Sequence, residues 1–274
     1  KISVKQQLRL MKVPQINAFS KFWIPKPPSD WPETEPITGP LILPPKSNDS
    51  STVPNQLVQF LAEGEAPVYI GFGSMTYTFS EEKIKNMTEA CLEALKITKQ
   101  RGIVLMSSAK TDEHCWKVSE NVLAIKSAPH DWLFPKCSCV VHHGGVGTLT
   151  AAVLAGKVSV FVTFGVDQPF WGSLMYKRGM SPAPIKSTEL TSTNLSSAIT
   201  EALSNQQMQH NTHSLQEQLQ KEDGTAQAMR ALEDFYSQSK EIQIVTSNPG
   251  SWWWKLTVTA VFVAGAIYSY QKWF

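Results

Sequence analysis

The sequence predicts a doubly wound α/β fold, a parallel sheet with helices on both faces, followed by an apolar helix at the C-terminus. Three observations carry that expectation. Short β-branched runs alternate with stretches of helical period between residues 65 and 240. Three of those runs lead into glycine-containing turns, "GFGSM" (71–75), "HHGGVGT" (142–148) and "GVDQP" (165–169). The runs themselves are apolar without strict alternation, as expected of strands covered on both faces. With 42% hydrophobic residues, the 274-residue chain has the material for a sizeable core.

In chain order, residues 14–54 read as an extended connector, because ten prolines from Pro14 to Pro54 fix φ and remove donors. "APVYIGFGSM" (66–75) is a strand running into glycines. "SEEKIKNMTEACLEALKIT" (80–98) is a helix with Ser80 as N-cap and Glu81 and Glu82 in its first turn. Ile84, Met87, Ala90, Cys91, Ala94 and Leu95 share one face of it. Residues 101–108 and 121–127 are strands with a charged loop between them, and "DWLFPKC" (131–137) is a helical turn. A strand at 137–143 leads into a helix at 147–157, and a strand at 158–164 into a helix at 167–179 that Pro169 opens and Gly179 closes. Residues 188–237 are polar and helical, with Thr188 and Thr191 as caps.

The tail differs in kind. Residues 256–271 carry no charge, with Trp252, Trp253, Trp254 and Lys255 on one flank and Tyr268, Tyr270, Lys272 and Trp273 on the other. A span needs about 20 residues, aromatic residues favour the two interfaces, and no polar face appears at helical spacing. Residues 251–274 therefore read as a membrane-spanning or membrane-anchoring helix, which makes the protein membrane-associated with its main domain in the cytosol.

Net charge and cysteines narrow the function. A balance of +2 gives no electrostatic footprint for nucleic acid. Four cysteines, Cys91, Cys115, Cys137 and Cys139, are too few for a disulfide framework and point to a reducing compartment. "CSCVVHH" (137–143) is no zinc site, since Cys137 and Cys139 share one strand face, His142 falls on the other, and zinc needs four convergent ligands. No Asp-x-Asp metal pair occurs in the chain, so no metal cofactor is expected.

The strand ends carry the chemistry. Ligands of doubly wound sheets bind outside the carboxyl ends of the strands. A helix N-terminus there offers free N–H groups and a positive dipole end to an anion. Gly145 and Gly147 let an anion approach the backbone, Thr148 adds a hydroxyl, and His143 adds a ring N–H. His142, one residue earlier on the strand, faces the other way, toward the core. The turn is neither a phosphate-binding Gly-Lys-Ser/Thr loop nor a dinucleotide fingerprint. Ser74 sits in the first glycine turn and can also reach a phosphate. Asp167 and Gln168 offer a carboxylate and a carboxamide side by side, a pair suited to vicinal hydroxyls. "SAPHDWLF" (127–134) supplies a border for a base. Anion donors beside a polyol clamp suggest a nucleotide sugar.

With these segments in view, "INAFSKFWIPKPPSDWP", "PVYIGFGSM" and "APHDWLFPKCSCVVHHGGVGTLTAAVLAGKVSVFVTFGVDQPFWG" resemble the sterol 3β-glucosyltransferases, lipid-acceptor members of the UDP-dependent glycosyltransferases. The resemblance covers roughly residues 14–203. It implies a GT-B architecture of two Rossmann-like domains, the C-terminal one binding UDP-glucose. It gives the diphosphate to Ser74, His143, Gly145, Gly147 and Thr148, the uracil to Ser127, Ala128 and His130, and the glucose hydroxyls to Asp167 and Gln168. The implied reaction is an inverting, metal-independent transfer to the 3β-hydroxyl of a sterol. Residues 1–64 become the end of an acceptor domain and its connector, 65–240 the donor domain, and 251–274 the anchor. Ala151 stands where plant relatives carry a ribose-binding glutamate. The family's general base is a histidine of the acceptor domain, and no histidine here takes its place. The chain opens on Lys1 with no signal-peptide pattern and reads as part of a longer protein, or as one that works with a partner chain. Two other functions remain open at this point: a non-catalytic nucleotide-sugar-binding scaffold, and a transferase for another lipid or polyketide acceptor.

Overall fold

A computed structural model describes residues 14–24, 27, 29, 31, 35–42, 53–106 and 113–239. The chain divides into two compact units, Pro44–Glu217 and a second formed by Lys1–Leu43 with Gln218–Phe274.

The larger unit opens with α1 (Asn55–Ala62) and is built on a seven-stranded sheet. Its strands are β1 (Val68–Gly71), β2 (Gly102–Leu105), β3 (Cys115–Ser119), β4 (Val122–Ile125), β5 (Val140–His142), β6 (Ser159–Thr163) and β7 (Ile185–Lys186). They lie in the order β3-β4-β2-β1-β5-β6-β7. Tyr69 in the centre is flanked by Ile103 of β2 and Val140 of β5, both parallel. The sheet is mixed and not wholly parallel as expected, because β3 pairs antiparallel with β4, Cys115 opposite Ile125. β3 falls in the segment read as a charged loop. Its burial pattern explains the miss: only Cys115 is buried, and Lys117, Val118 and Ser119 are exposed at the sheet edge.

α2 (Glu81–Ile97) follows β1 after a 3-10 turn, Gly73–Thr78. Ser80 caps it by accepting the Lys83 N–H, as its sequence signature implies. α3 (His130–Leu133) is the short turn before β5, and α4 (Val146–Leu154), α5 (Gln168–Lys177) and α6 (Ser192–Ser204) follow β5, β6 and β7. Thr191 caps α6 in a capping box with Asn194, whereas Thr188 lies outside the helix. Pro169 sits in the first turn of α5, where its missing N–H costs nothing, and Gly179 follows its end with φ +62°. α7 (Gln206–Leu219) returns along the unit, and Gln216 Nε2 donates to the Leu154 carbonyl at 2.7 Å.

Alternation along β1 divides the core into two layers. Val68 and Ile70 pack with Met87, Cys91 and Leu95 of α2 and Leu195 and Ile199 of α6. Tyr69 points the other way, to Leu57 and Phe60 of α1, Leu133 at the end of α3, Phe134 just after it, and Ala152 of α4. α2 and α4 thus leave adjacent strands β1 and β5 for opposite faces, so the carboxyl ends of these strands part into a crevice.

The second unit holds an isolated parallel bridge between Asn17 and Ile37, a fully buried Trp23, and α8 (Gly224–Ser239). Glu222 accepts the Lys21 N–H at 3.2 Å. Gly224 passes so close to residues 39 and 40 that a Cβ there would lie 2.3 Å from the Pro40 carbonyl oxygen. The apolar tail read from residues 251–274 lies outside the described residues. Among the described residues no helix is long and apolar enough to cross a membrane.

Candidate functional site

The turns after β1, β5 and β6, neighbours in the sheet, carry the candidate residues, and the turn after β4 brings His130 to Tyr69 of β1. β5 ends at His142 and the chain turns through His143, Gly144 and Gly145 into α4. Gly145 is the N-cap, with extended backbone and no side-chain cap, so Val146, Gly147 and Thr148 are the first three helical residues. Their N–H groups have no intrahelical partner, and the dipole end they form is left for an outside acceptor. A Cβ placed on Gly147 would meet nothing within 4 Å, so the space over this helix start is open.

The His143 ring lies between this turn and the β1 turn: a Cβ on Gly73 would be 3.3 Å from His143 Cε1. That contact brings the 3-10 turn containing Ser74 to the β5 turn. His143 Nδ1 is buried and has no hydrogen-bond partner among the described residues. With Nδ1 left without a partner, a proton on Nε2 would be the one able to meet a ligand. Burial holds the His143 imidazole below its ordinary range, with Asp167 opposing that shift and His130 adding to it.

The β6 turn closes the other side. Gly165 has φ +148° and Val166, exposed, has φ +59°. A β-branched residue in the left-handed region is strained, and two bonds hold the turn there. Gln168 N–H donates to the Gly165 carbonyl at 3.3 Å, and Gln168 Oε1 accepts the Phe164 N–H at 2.8 Å. Asp167 Oδ2 accepts the Trp171 indole N–H at 2.8 Å. Gln168 is buried with its side-chain carbonyl oxygen occupied, so its Nε2 is the side-chain group that could still donate. Gly144 packs against it: a Cβ on Gly144 would lie 3.2 Å from Gln168 Cβ and from Phe161 Cδ1.

The β4 end supplies Ser127, exposed, and Ala128, half-buried beside the core that contains Leu133 and Phe134. His130 opens α3, stacked on Phe134 at 4.3 Å and edge-on to Tyr69 at 6.0 Å. Burial lowers its pKa, with Asp131 opposing. Ser127 and Ala128 thus follow β4, and His130 rests on an aromatic platform of Phe134 and Tyr69 that the sequence did not announce.

His142 behaves as its strand position requires. It is fully buried, tilted against Phe161 at 4.8 Å, and burial holds its pKa down at about 3, helped by the like charges of His143 and His130. Gly144 and Val166 were missed in the sequence. A glycine among glycines gives no sign of which one needs positive φ, and a valine gives none at all. Among the described residues no group of histidines, cysteines and carboxylates can hold a metal ion. Burial pushes the thiols of Cys91, Cys137 and Cys139 up to about 12, which leaves them inert.

Comparison with known proteins bears on the family and the fold. The family described as "Erythromycin biosynthesis protein CIII-like, C-terminal domain" matches residues 92–234. A sterol 3-beta-glucosyltransferase of Arabidopsis thaliana is 39% identical over 215 residues, covering 78% of this chain and 34% of the relative. A second from the same plant is 36% identical over 220 residues, covering 80% and 33%. One from Penicillium rubens is 31% identical over 239 residues, covering 85% and 17%. The chain thus spans about a third or less of the length of these relatives, and the resemblance read from its motifs is borne out. The calicheamicin glycosyltransferase CalG4 superposes with a TM-score of 0.60 at 17% identity, covering 82% of this chain and 54% of that one. Arabidopsis thaliana UGT89C1, solved with UDP-L-rhamnose, does so with 0.57 at 18%, covering 72% and 51%. These two likenesses support the fold alone, a mixed sheet flanked by helices as in one half of such glycosyltransferases. On the strength of the matched residues, the chain belongs to the erythromycin biosynthesis protein CIII-like C-terminal domain family.

Proposed function

We propose that this chain is the donor-binding half of a metal-independent, inverting hexosyltransferase that moves glucose from UDP-glucose to the 3β-hydroxyl of a sterol. The observation that carries the reading is the uncapped start of α4. Its open N–H groups, the Nε2 of His143 and the turn of Ser74 converge at the point where neighbouring helices part. In this reading the diphosphate lies on Gly145, Gly147, Thr148, His143 and Ser74. As the glycosidic bond to the donor breaks, charge accumulates on the leaving diphosphate, and the helix dipole and the His143 N–H stabilise it. Those groups are already oriented, so little reorganisation accompanies the step. Ser127, Ala128 and His130 border the uracil, and Asp167 and Gln168 meet the sugar. The sterol assignment is supported by the names of the relatives. The acceptor's base is assigned to the longer part of such proteins that this chain does not span. Membrane attachment through residues 251–274 belongs to the same proposal and rests on the uncharged run and its flanking tryptophans.

Gln168→Glu tests the sugar-facing role, because it keeps an acceptor for the Phe164 N–H while replacing the amide donor with a carboxylate. The added negative charge is expected to weaken UDP, and loss of the amide donor to weaken UDP-glucose further, so that calorimetry shows the preference for UDP-glucose over UDP reduced by the order of one hydrogen bond. An unchanged preference between the two ligands would contradict the placement. For the reaction, fusing this chain to the N-terminal portion of the 39%-identical Arabidopsis relative and supplying radiolabelled UDP-glucose should give a labelled steryl glucoside. UDP binding without transfer to any sterol or other lipid would leave a nucleotide-sugar-binding protein in its place.

A further inference from the structure

We propose that His142 is a positioning residue for the proposed diphosphate site, and that it acts by accepting the Gly144 N–H on Nδ1. Its place in the sequence, last on β5, turns its side chain away from the crevice and into the core, where it is fully buried against Phe161. From there Nδ1 reaches forward to the Gly144 N–H at 3.1 Å. Accepting on Nδ1 puts the ring proton on Nε2, and Nε2 has no hydrogen-bond partner among the described residues. The bond to Gly144 is therefore the hydrogen bond by which this ring acts on its surroundings.

The atom it holds matters. Gly144 is buried and has φ +95°, the bend that sends the chain from β5 back toward Gly145 and the open N–H groups of α4. Gly144 also lies against Gln168 of the β6 turn. One backbone N–H thus sets the direction of the proposed phosphate donors and the approach of the proposed sugar turn. Without an acceptor, that buried N–H would be unpaired, and the turn would relax to reach another partner. His142 touches no ligand in this arrangement and acts through Gly144.

The inference rests on the donor-site reading for its consequence, but not for the bond itself, and the tests separate the two. In the unaltered 274-residue chain, ring nitrogen NMR is expected to show the His142 proton on Nε2. A proton on Nδ1 would overturn the inference whether or not any variant folds. His142→Phe keeps the bulk against Phe161 and removes the acceptor, while His142→Asn places its Oδ1 where Nδ1 stood. In the ligand-free protein, His142→Phe is expected to speed exchange of the Gly144 amide about tenfold or more, and His142→Asn to retain protection within about threefold. With UDP, His142→Phe is expected to weaken binding about three- to tenfold and His142→Asn about twofold or less. Unchanged Gly144 protection in His142→Phe, or equal loss of UDP binding in the two variants, would contradict a positioning role. If the unaltered chain binds no UDP, the donor-site reading fails, and the exchange and NMR results still decide the role of His142.

Discussion

Gly144→Ala is expected to lower stability by about 2–5 kcal/mol, a large effect for a single methyl group. Two costs add. The native φ of +95° is open to glycine and strained for alanine. The new Cβ would also press on Gln168 Cβ and Phe161 Cδ1 at 3.2 Å and on the Gln168 carbonyl oxygen at 3.3 Å. Phe161 lies in the sheet and Gln168 is tied to the Phe164 N–H, so neither gives way freely. Urea denaturation checks the stability, and the variant should also lose UDP binding because the β5 and β6 turns separate. A midpoint unchanged from the unaltered chain would show that the turn is not bent as described.

Acid is expected to destabilise the protein as soon as the pH falls below about 6.5. His142 is held neutral, with its pKa lowered from 6.5 to about 3 by burial first and by His143 and His130 next. Below pH 6.5 the unfolded chain takes up a proton that the folded chain refuses, so stability falls as pH falls. The loss from this one group runs at about 1.4 kcal/mol per pH unit, and it levels off near the folded pKa. His143 and His130 are shifted in the same direction and add to the slope. Denaturation midpoints at pH 7.0, 6.0 and 5.0 measure it, and His142→Asn should flatten the curve. A flat profile in the unaltered chain between pH 7 and 5 would contradict the buried neutral histidine.

How far the sequence could be read follows from what each residue does locally. The Ser80 and Thr191 caps, the Pro169 start and the apolar strands are decided by neighbours within a few positions, and each was legible. β3 was not, because an edge strand buries one residue in five and its pairing with β4 leaves no alternation to read. His143, Gly147 and Asp167 were legible as site candidates because glycine turns after strands mark the crevice of this fold. Their mutual placement was not. It depends on β1 lying next to β5, a pairing between residues some seventy positions apart. The role of Gly144 and the strain at Val166 depend on backbone angles that no residue type announces. Tyr69 looked like one more strand residue, yet with Phe134 it forms the platform under His130.

Calorimetric titration of UDP into the unaltered chain and into Gly147→Leu tests most directly whether a diphosphate sits at the start of α4. Gly147 is exposed, a side chain there meets no protein atom within 4 Å of its Cβ, and leucine is the better helix former by about 0.5–1 kcal/mol. The variant should melt no lower than the unaltered chain while its side chain fills the space over the helix N-terminus. The expected result is saturable binding by the unaltered chain and none by Gly147→Leu. Equal affinity in both proteins, or no binding by either, would contradict a diphosphate on this turn.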